Sequence, residues 1–108
     1  MVYTTDEIKN IITPIAVKYN LKAVFLFGSY ARGTANENSD IDLIIDTTGT
    51  ELDTLFKLGA VYEDLSNAFC KEVDMITVSS LEQPVIRQSE IAFRENIFKE
   101  RKNLYAVA

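Results

Sequence analysis

Gly28-Ser29 follows directly on the apolar run Ala23-Val24-Phe25-Leu26-Phe27, and Asp40-Ile41-Asp42 begins after an interval of ten residues. A small-residue turn leaving a strand lets backbone N–H groups approach a phosphate closely. Two aspartates spaced i, i+2 on a strand point to the same face, so Asp40 and Asp42 can share a divalent cation. Together the two features describe a site for a nucleoside triphosphate. Asp74 repeats the pattern later in the chain, isolated between Val73 and Met75. Aspartate is disfavoured inside strands, and several on one apolar face repel one another and resist desolvation. Magnesium bridging phosphates would neutralise them. Asp46 shares the parity of Asp40 and Asp42 but adjoins the turn Thr47-Thr48-Gly49, which suits an exposed strand end.

Other residues admit two readings. Gly28-Ser29 is either a phosphate cradle or a simple strand-to-loop turn. Arg32 either steadies triphosphate oxygens through its forked donors or is a solvated loop charge. Gly28 and Gly33 have the glycine spacing of a Walker A loop, but Thr34 stands where that motif needs lysine, and no Gly-x-Gly-x-x-Gly pattern is present. Arg94, Lys99, Arg101 and Lys102, interleaved with Glu95 and Glu100, read as a solvated helix face.

Composition narrows the classes. A chain of 108 residues has the size of one domain, spanning 1–108, without room for a separate substrate domain. A net charge of −5 argues against direct nucleic-acid binding, and it suits a basic protein partner better. With no histidine and only Cys70, neither a structural zinc site nor an intrachain disulfide can be built. The first residues show no secretory pattern, and no apolar run approaches the roughly 20 residues a membrane span needs. A cytoplasmic protein is the expectation.

The elements that must position the aspartates follow from periodicity. Thr4 with Glu7 reads as a capping box opening a helix with Ile8, Ile11, Ile12, Ile15, Ala16 and Tyr19 on one face. Pro14 should kink or shorten that helix, and Asn20 is a plausible stop. Lys22–Phe27 reads as a buried strand, and 28–39 as a loop with one helical turn around Tyr30-Ala31-Arg32. Asp40–Asp46 is a second strand. Thr50 is placed to cap a helix whose apolar stripe is Leu52, Leu55, Phe56, Gly59, Tyr62, Leu65 and Phe69. Glu72–Val78 is a third strand. Pro84 fits the first turn of a last helix carrying Ile86, Ser89, Phe93 and Ile97 on one side. The tail 103–108 fits either a short edge strand or a frayed end. Phe25, Phe27, Phe56 and Phe69 are expected in the core. The fold class is α/β (α+β), a small mixed sheet with the three aspartates on one exposed face or edge and helices packed on the other.

Phe27-Gly28-Ser29-Tyr30-Ala31-Arg32-Gly33-Thr34 followed by Ser39-Asp40-Ile41-Asp42-Leu43 resembles the signature of the DNA polymerase β-type nucleotidyltransferases. More closely, the whole chain is similar to the minimal nucleotidyltransferases (MNT). The resemblance implies a nucleotidyltransferase fold, with Asp40, Asp42 and Asp74 as catalytic carboxylates holding one or two Mg²⁺ ions. It implies that Gly28 and Ser29 form the turn that holds the triphosphate of ATP. It also implies an antitoxin that transfers AMP to a tyrosine of a cognate HEPN-domain ribonuclease toxin; whether the chain forms a homo- or hetero-oligomer is left open by the sequence. Neutralisation by binding alone, or nucleotidyl transfer to a small molecule, are the alternatives. The helical substrate domain of larger relatives has no counterpart here.

Overall fold

The computed structural model describes residues 2–81 and 88–107. In chain order the elements are α1 (Thr5–Lys18), β1 (Ala23–Phe27), α2 (Gly28–Arg32), β2 (Ile41–Asp46), α3 (Leu55–Phe69), β3 (Val73–Thr77), α4 (Val78–Leu81), α5 (Gln88–Glu100) and β4 (Lys102–Ala106). Pro84 and Ile86 lie outside the described residues. The four strands form one mixed sheet in the order β3-β2-β1-β4. β1 runs antiparallel to both β2 and β4, while β2 and β3 are parallel. Two antiparallel neighbours can be joined by a short loop. The parallel pair needs a crossover, and α3 supplies it.

The capping box forms as expected: Thr4 Oγ1 accepts from the Glu7 N–H at 3.1 Å, and the Thr4 N–H donates to Glu7 Oε1 at 2.9 Å. Pro14 does not shorten α1, which continues to Lys18 with Tyr19 as its C-cap. Pro14 and Asn10 both face solvent, so water can satisfy the carbonyl that Pro14 cannot serve. Asn20 follows the helix in a left-handed conformation, φ 55°. Thr50 does not cap α3. Thr54 does, accepting from the Lys57 N–H at 3.1 Å. The tail resolves as a strand: β4 pairs with β1 at the sheet edge opposite β3.

Two clusters divide the core between the faces of the sheet. On one side Ile8, Ile12 and Ala16 of α1 and Val61, Leu65 and Phe69 of α3 pack on Val24, Leu26, Ile41, Leu43 and Ile45. Lys18 Nζ and Tyr19 Oη both donate to Asp64, at 2.8 and 2.7 Å, and tie the two helices together. On the other side Phe27, Ile44, Leu81 and Ile97 form a smaller cluster, with Phe25, Ile76 and Val78 against it. The expectation that helices cover only the face away from the aspartates is therefore corrected. Ile44 shares the parity of Asp42, yet α4 and α5 bury it completely.

The apolar stripe of α3 also differs from expectation. Leu65 and Phe69 are buried, but Leu55 and Phe56 stand 88% and 90% exposed, and Tyr62 is exposed as well. Periodicity places these residues on the helix, but among the described residues nothing covers the first turn of α3. No helix among the described residues is long and apolar enough to cross a membrane.

Candidate active site

β2 alternates buried and half-buried positions at its start, Ile41, Asp42, Leu43, because successive side chains leave a strand on opposite faces. Ile41 and Leu43 point into the larger core, which leaves Asp42 on the face shared with α5. In the parallel ladder Asp42 stands opposite Asp74, so two carboxylates occupy adjacent positions on that face. β1 runs antiparallel beside β2 and pairs Phe27 with Asp42. The next residue, Gly28, turns the chain out of the sheet into α2.

Gly28 has φ +72°, a conformation that L side chains rarely adopt. A Cβ there would collide with Asp42 Oδ2 and lie 3.0 Å from Asp42 Cγ. Glycine is thus required twice, by the turn and by the carboxylate beneath it. α2 ends at Gly33, again left-handed at φ 78°, which presents Arg32 in its last turn.

These residues surround a cavity of about 480 Å³. Gly28, Arg32, Asp42 and Asp74 form its polar side. Phe27, Ile76, Phe93 and Ile97 form an apolar side, with Phe27 and Phe93 in edge-to-face contact at 6.5 Å. Of the residues singled out from sequence, these four polar ones converge. Asp40 is exposed one position before β2, and neither it nor Ser29 lines the cavity. Asp40 remains near enough for its charge to act on Asp42.

Burial pushes the Asp42 carboxyl up from 3.8 to about 6. The charge of Asp74 and a hydrogen bond shared with it add to the effect, as does the charge of Asp40, and Arg32 offsets part of it. A half-buried carboxylate held among like charges calls for a cation. Among the described residues no group of three or more His, Cys, Asp or Glu side chains forms a ready-made metal cage. The donor set on hand is a carboxylate pair, which suits an ion completing its shell with water and phosphate oxygens, the habit of Mg²⁺. Gly28 keeps the space over Asp42 clear of side-chain atoms. The residues present therefore fit a divalent cation carried in with a nucleotide.

α5 contributes what sequence reasoning missed. Glu100 is not a free solvated charge, because Arg32 Nη1 donates to its Oε2 at 3.0 Å across the cavity mouth. Asn96 joins it in the lining. Arg101 stacks over the rings of Phe25 and Phe98, at 4.6 and 4.8 Å. The only hint in the sequence was that Phe93, Ile97 and Glu100 recur at helical spacing. Nothing there said that this face would cover a carboxylate pair.

Residues 9–106 match the sequence profile of the family described as polymerase beta, nucleotidyltransferase. The chain belongs to the minimal nucleotidyltransferases of the polymerase β family. Among similar proteins is the protein adenylyltransferase MntA of Thermococcus cleftensis, 31% identical over 88 residues, which are 78% of this chain and 87% of that one. A Methanocaldococcus jannaschii protein, provisionally named a protein adenylyltransferase, is 38% identical over 90 residues, 80% of this chain and 90% of its own. Among solved structures, a crystal structure described as a toxin-antitoxin with AMP-PNP superposes with a TM-score of 0.68 at 23% identity, covering 92% of this chain and 73% of the other. The MNT antitoxin complex with the tri-AMPylated Shewanella oneidensis HEPN toxin gives 0.64 at 18% identity, covering 96% and 74%. At those identities the two superpositions speak for the fold: this minimal nucleotidyltransferase has the mixed sheet and flanking helices of its relatives.

Proposed function

We propose that this minimal nucleotidyltransferase is an antitoxin that transfers AMP from ATP to a tyrosine hydroxyl of a HEPN-domain toxin. The observation that carries the reading is the Asp42–Asp74 pair beneath the bare Cα of Gly28, at the floor of an open cavity. The relatives named as protein adenylyltransferases support the choice of a protein as acceptor.

Asp42 and Asp74, with Asp40 beside them, would hold Mg²⁺. The ion, when bound, screens the triphosphate and offsets charge developing at the α-phosphorus. Gly28 and Ser29 seat the β- and γ-phosphates where the chain leaves β1, and Arg32 turns its donors from Glu100 to phosphate oxygens. Asp74, exposed at the outer strand, takes the proton from the incoming hydroxyl. The acceptor oxygen bonds to the α-phosphorus as the bond to the bridging oxygen breaks, and pyrophosphate leaves. The apolar wall of Phe27, Ile76 and Phe93 excludes water that would otherwise hydrolyse the nucleotide.

Mass spectrometry of the toxin after incubation with the protein, Mg²⁺ and ATP tests the proposal. The toxin should gain one or more adenylyl groups, and Asp42→Asn should abolish the gain while leaving the fold intact. A toxin that is neutralised with its mass unchanged would make binding alone the function.

A further inference from the structure

A second concavity, of about 350 Å³, opens where α3 meets the outer strand. Leu55, Leu58 and Tyr62 line it from α3, and Met75, Ile76 and Thr77 line it from β3. None of its lining side chains is charged. Next along α3 from Leu55 is Phe56, the most exposed of the large apolar residues described. An adjacent leucine and phenylalanine, each about nine-tenths open to solvent, are unusual on a protein surface, where apolar patches mark interfaces. Gly59 deepens the groove, since a Cβ there would meet nothing within 4 Å.

Two further observations indicate what covers it. β3 ends the sheet, so among the described residues its outer edge lacks a strand partner and can take an extended segment. The groove also adjoins the catalytic cavity, since Ile76 lines both. Ile76 lies two residues along β3 from Asp74, about 7 Å at strand rise. Glu72 and Asp74 are exposed near the start of that strand, with no cationic partner among the described residues. A ligand following β3 would therefore meet apolar surface first and negative charge as it reaches the site.

We propose that the α3–β3 groove is the docking surface for the acceptor protein. The occupant is an extended apolar segment of that protein with basic residues beside its acceptor hydroxyl, laid along the edge of β3 so that the hydroxyl arrives at Asp74. This inference rests on the proposed protein adenylyl transfer and names where its acceptor is recognised. It accounts for how a domain too small to enclose an acceptor still selects one: the selective surface lies beside the nucleotide, not around it. Net charge complementarity speeds encounter, and the apolar groove sets the lifetime of the complex.

Phe56→Asp and Leu55→Asp test it, since both positions are exposed and neither side chain lines the nucleotide cavity. Each variant should melt as the parent does and bind Mg-ATP with unchanged affinity. Affinity for the HEPN-domain acceptor should fall at least tenfold, with transfer lost at low acceptor concentration and regained at high. Parental acceptor affinity in the double variant would overturn the docking site while leaving adenylyl transfer standing. Groove-dependent binding without any mass gain would keep the docking site and overturn the transfer. A parent that is dimeric in size-exclusion chromatography, with monomeric variants that transfer normally, would assign the groove to a second copy of the chain and refute the proposal.

Discussion

Gly28 and Asp42 are packed so closely that a single methyl group on Gly28 would take the space of Asp42 Oδ2. The contact joins the turn after β1 to the carboxylate of β2, so the proposed phosphate seat and the proposed metal ligand are placed by one constraint. Gly28→Ala should therefore damage both. The positive φ alone costs about 1 kcal/mol for a residue with a Cβ, and the collision must displace Asp42 as well. We expect a fall in melting temperature of roughly 4–8 °C or more and loss of measurable Mg-ATP binding by calorimetry. Parental ATP binding in this variant would show that phosphates do not pass over Gly28.

The upward displacement of Asp42 to about 6 makes metal-free stability depend on pH. Its carboxyl holds a proton in the folded chain at pH values where the unfolded chain has lost it. The folded state is favoured most at low pH, and that benefit disappears as pH rises through about 6. Asp42→Asn should accordingly melt above the parent at pH 8, by about 1 kcal/mol once solvent screening of a half-buried group is allowed for. Near pH 4 the two should converge. Thermal melts in chelator at both pH values decide it, and a variant less stable than its parent at pH 8 would contradict the electrostatic account. The same proton competes with the cation, so Mg²⁺ binding should strengthen between pH 5 and 7.

Glu100 Oε2 accepts a hydrogen bond from Arg32 Nη1 at 3.0 Å. Removing the charge in Glu100→Gln frees the guanidinium and takes one negative charge from the mouth of a site proposed to receive a polyanion. A surface ion pair of this kind is worth under about 1 kcal/mol, so ATP affinity should rise about two- to fivefold. Inorganic tripolyphosphate should gain equally, because the effect concerns phosphate alone. If ATP binding weakens while tripolyphosphate binding does not, Glu100 contacts the nucleoside and the ion pair is incidental.

Leu43 on β2 and Leu55 on the apolar stripe of α3 both read as core leucines, yet one is fully buried and the other 88% exposed. Leu43→Ala should cost about 2–5 kcal/mol, enough to unfold a marginal domain, while Leu55→Ala should change stability by less than about 0.5 kcal/mol. Urea denaturation of the two variants measures the contrast. Equal losses would mean that α3 is packed differently from this structure.

Local chemistry in the chain determined a great deal. The capping box at Thr4, the strand-to-turn junction at Gly28 and the alternation that sets Asp42 against Ile41 and Leu43 are short-range effects, complete within a few residues. The family resemblance rests on the same stretch, because chemistry at a phosphate demands glycine and carboxylates at set intervals. Periodicity states which side chains share a face, but not what will cover that face. Only the tertiary structure decided that Asp74 stands opposite Asp42, since parallel pairing of β2 with β3 is a long-range choice made through α3. Only it showed that α5 roofs part of the aspartate face and turns Glu100 toward Arg32. It also decided that the stripe of α3 splits into a buried end at Phe69 and a bare end at Phe56, because periodicity sets which side chains share a face and only long-range packing sets how much of that face is covered.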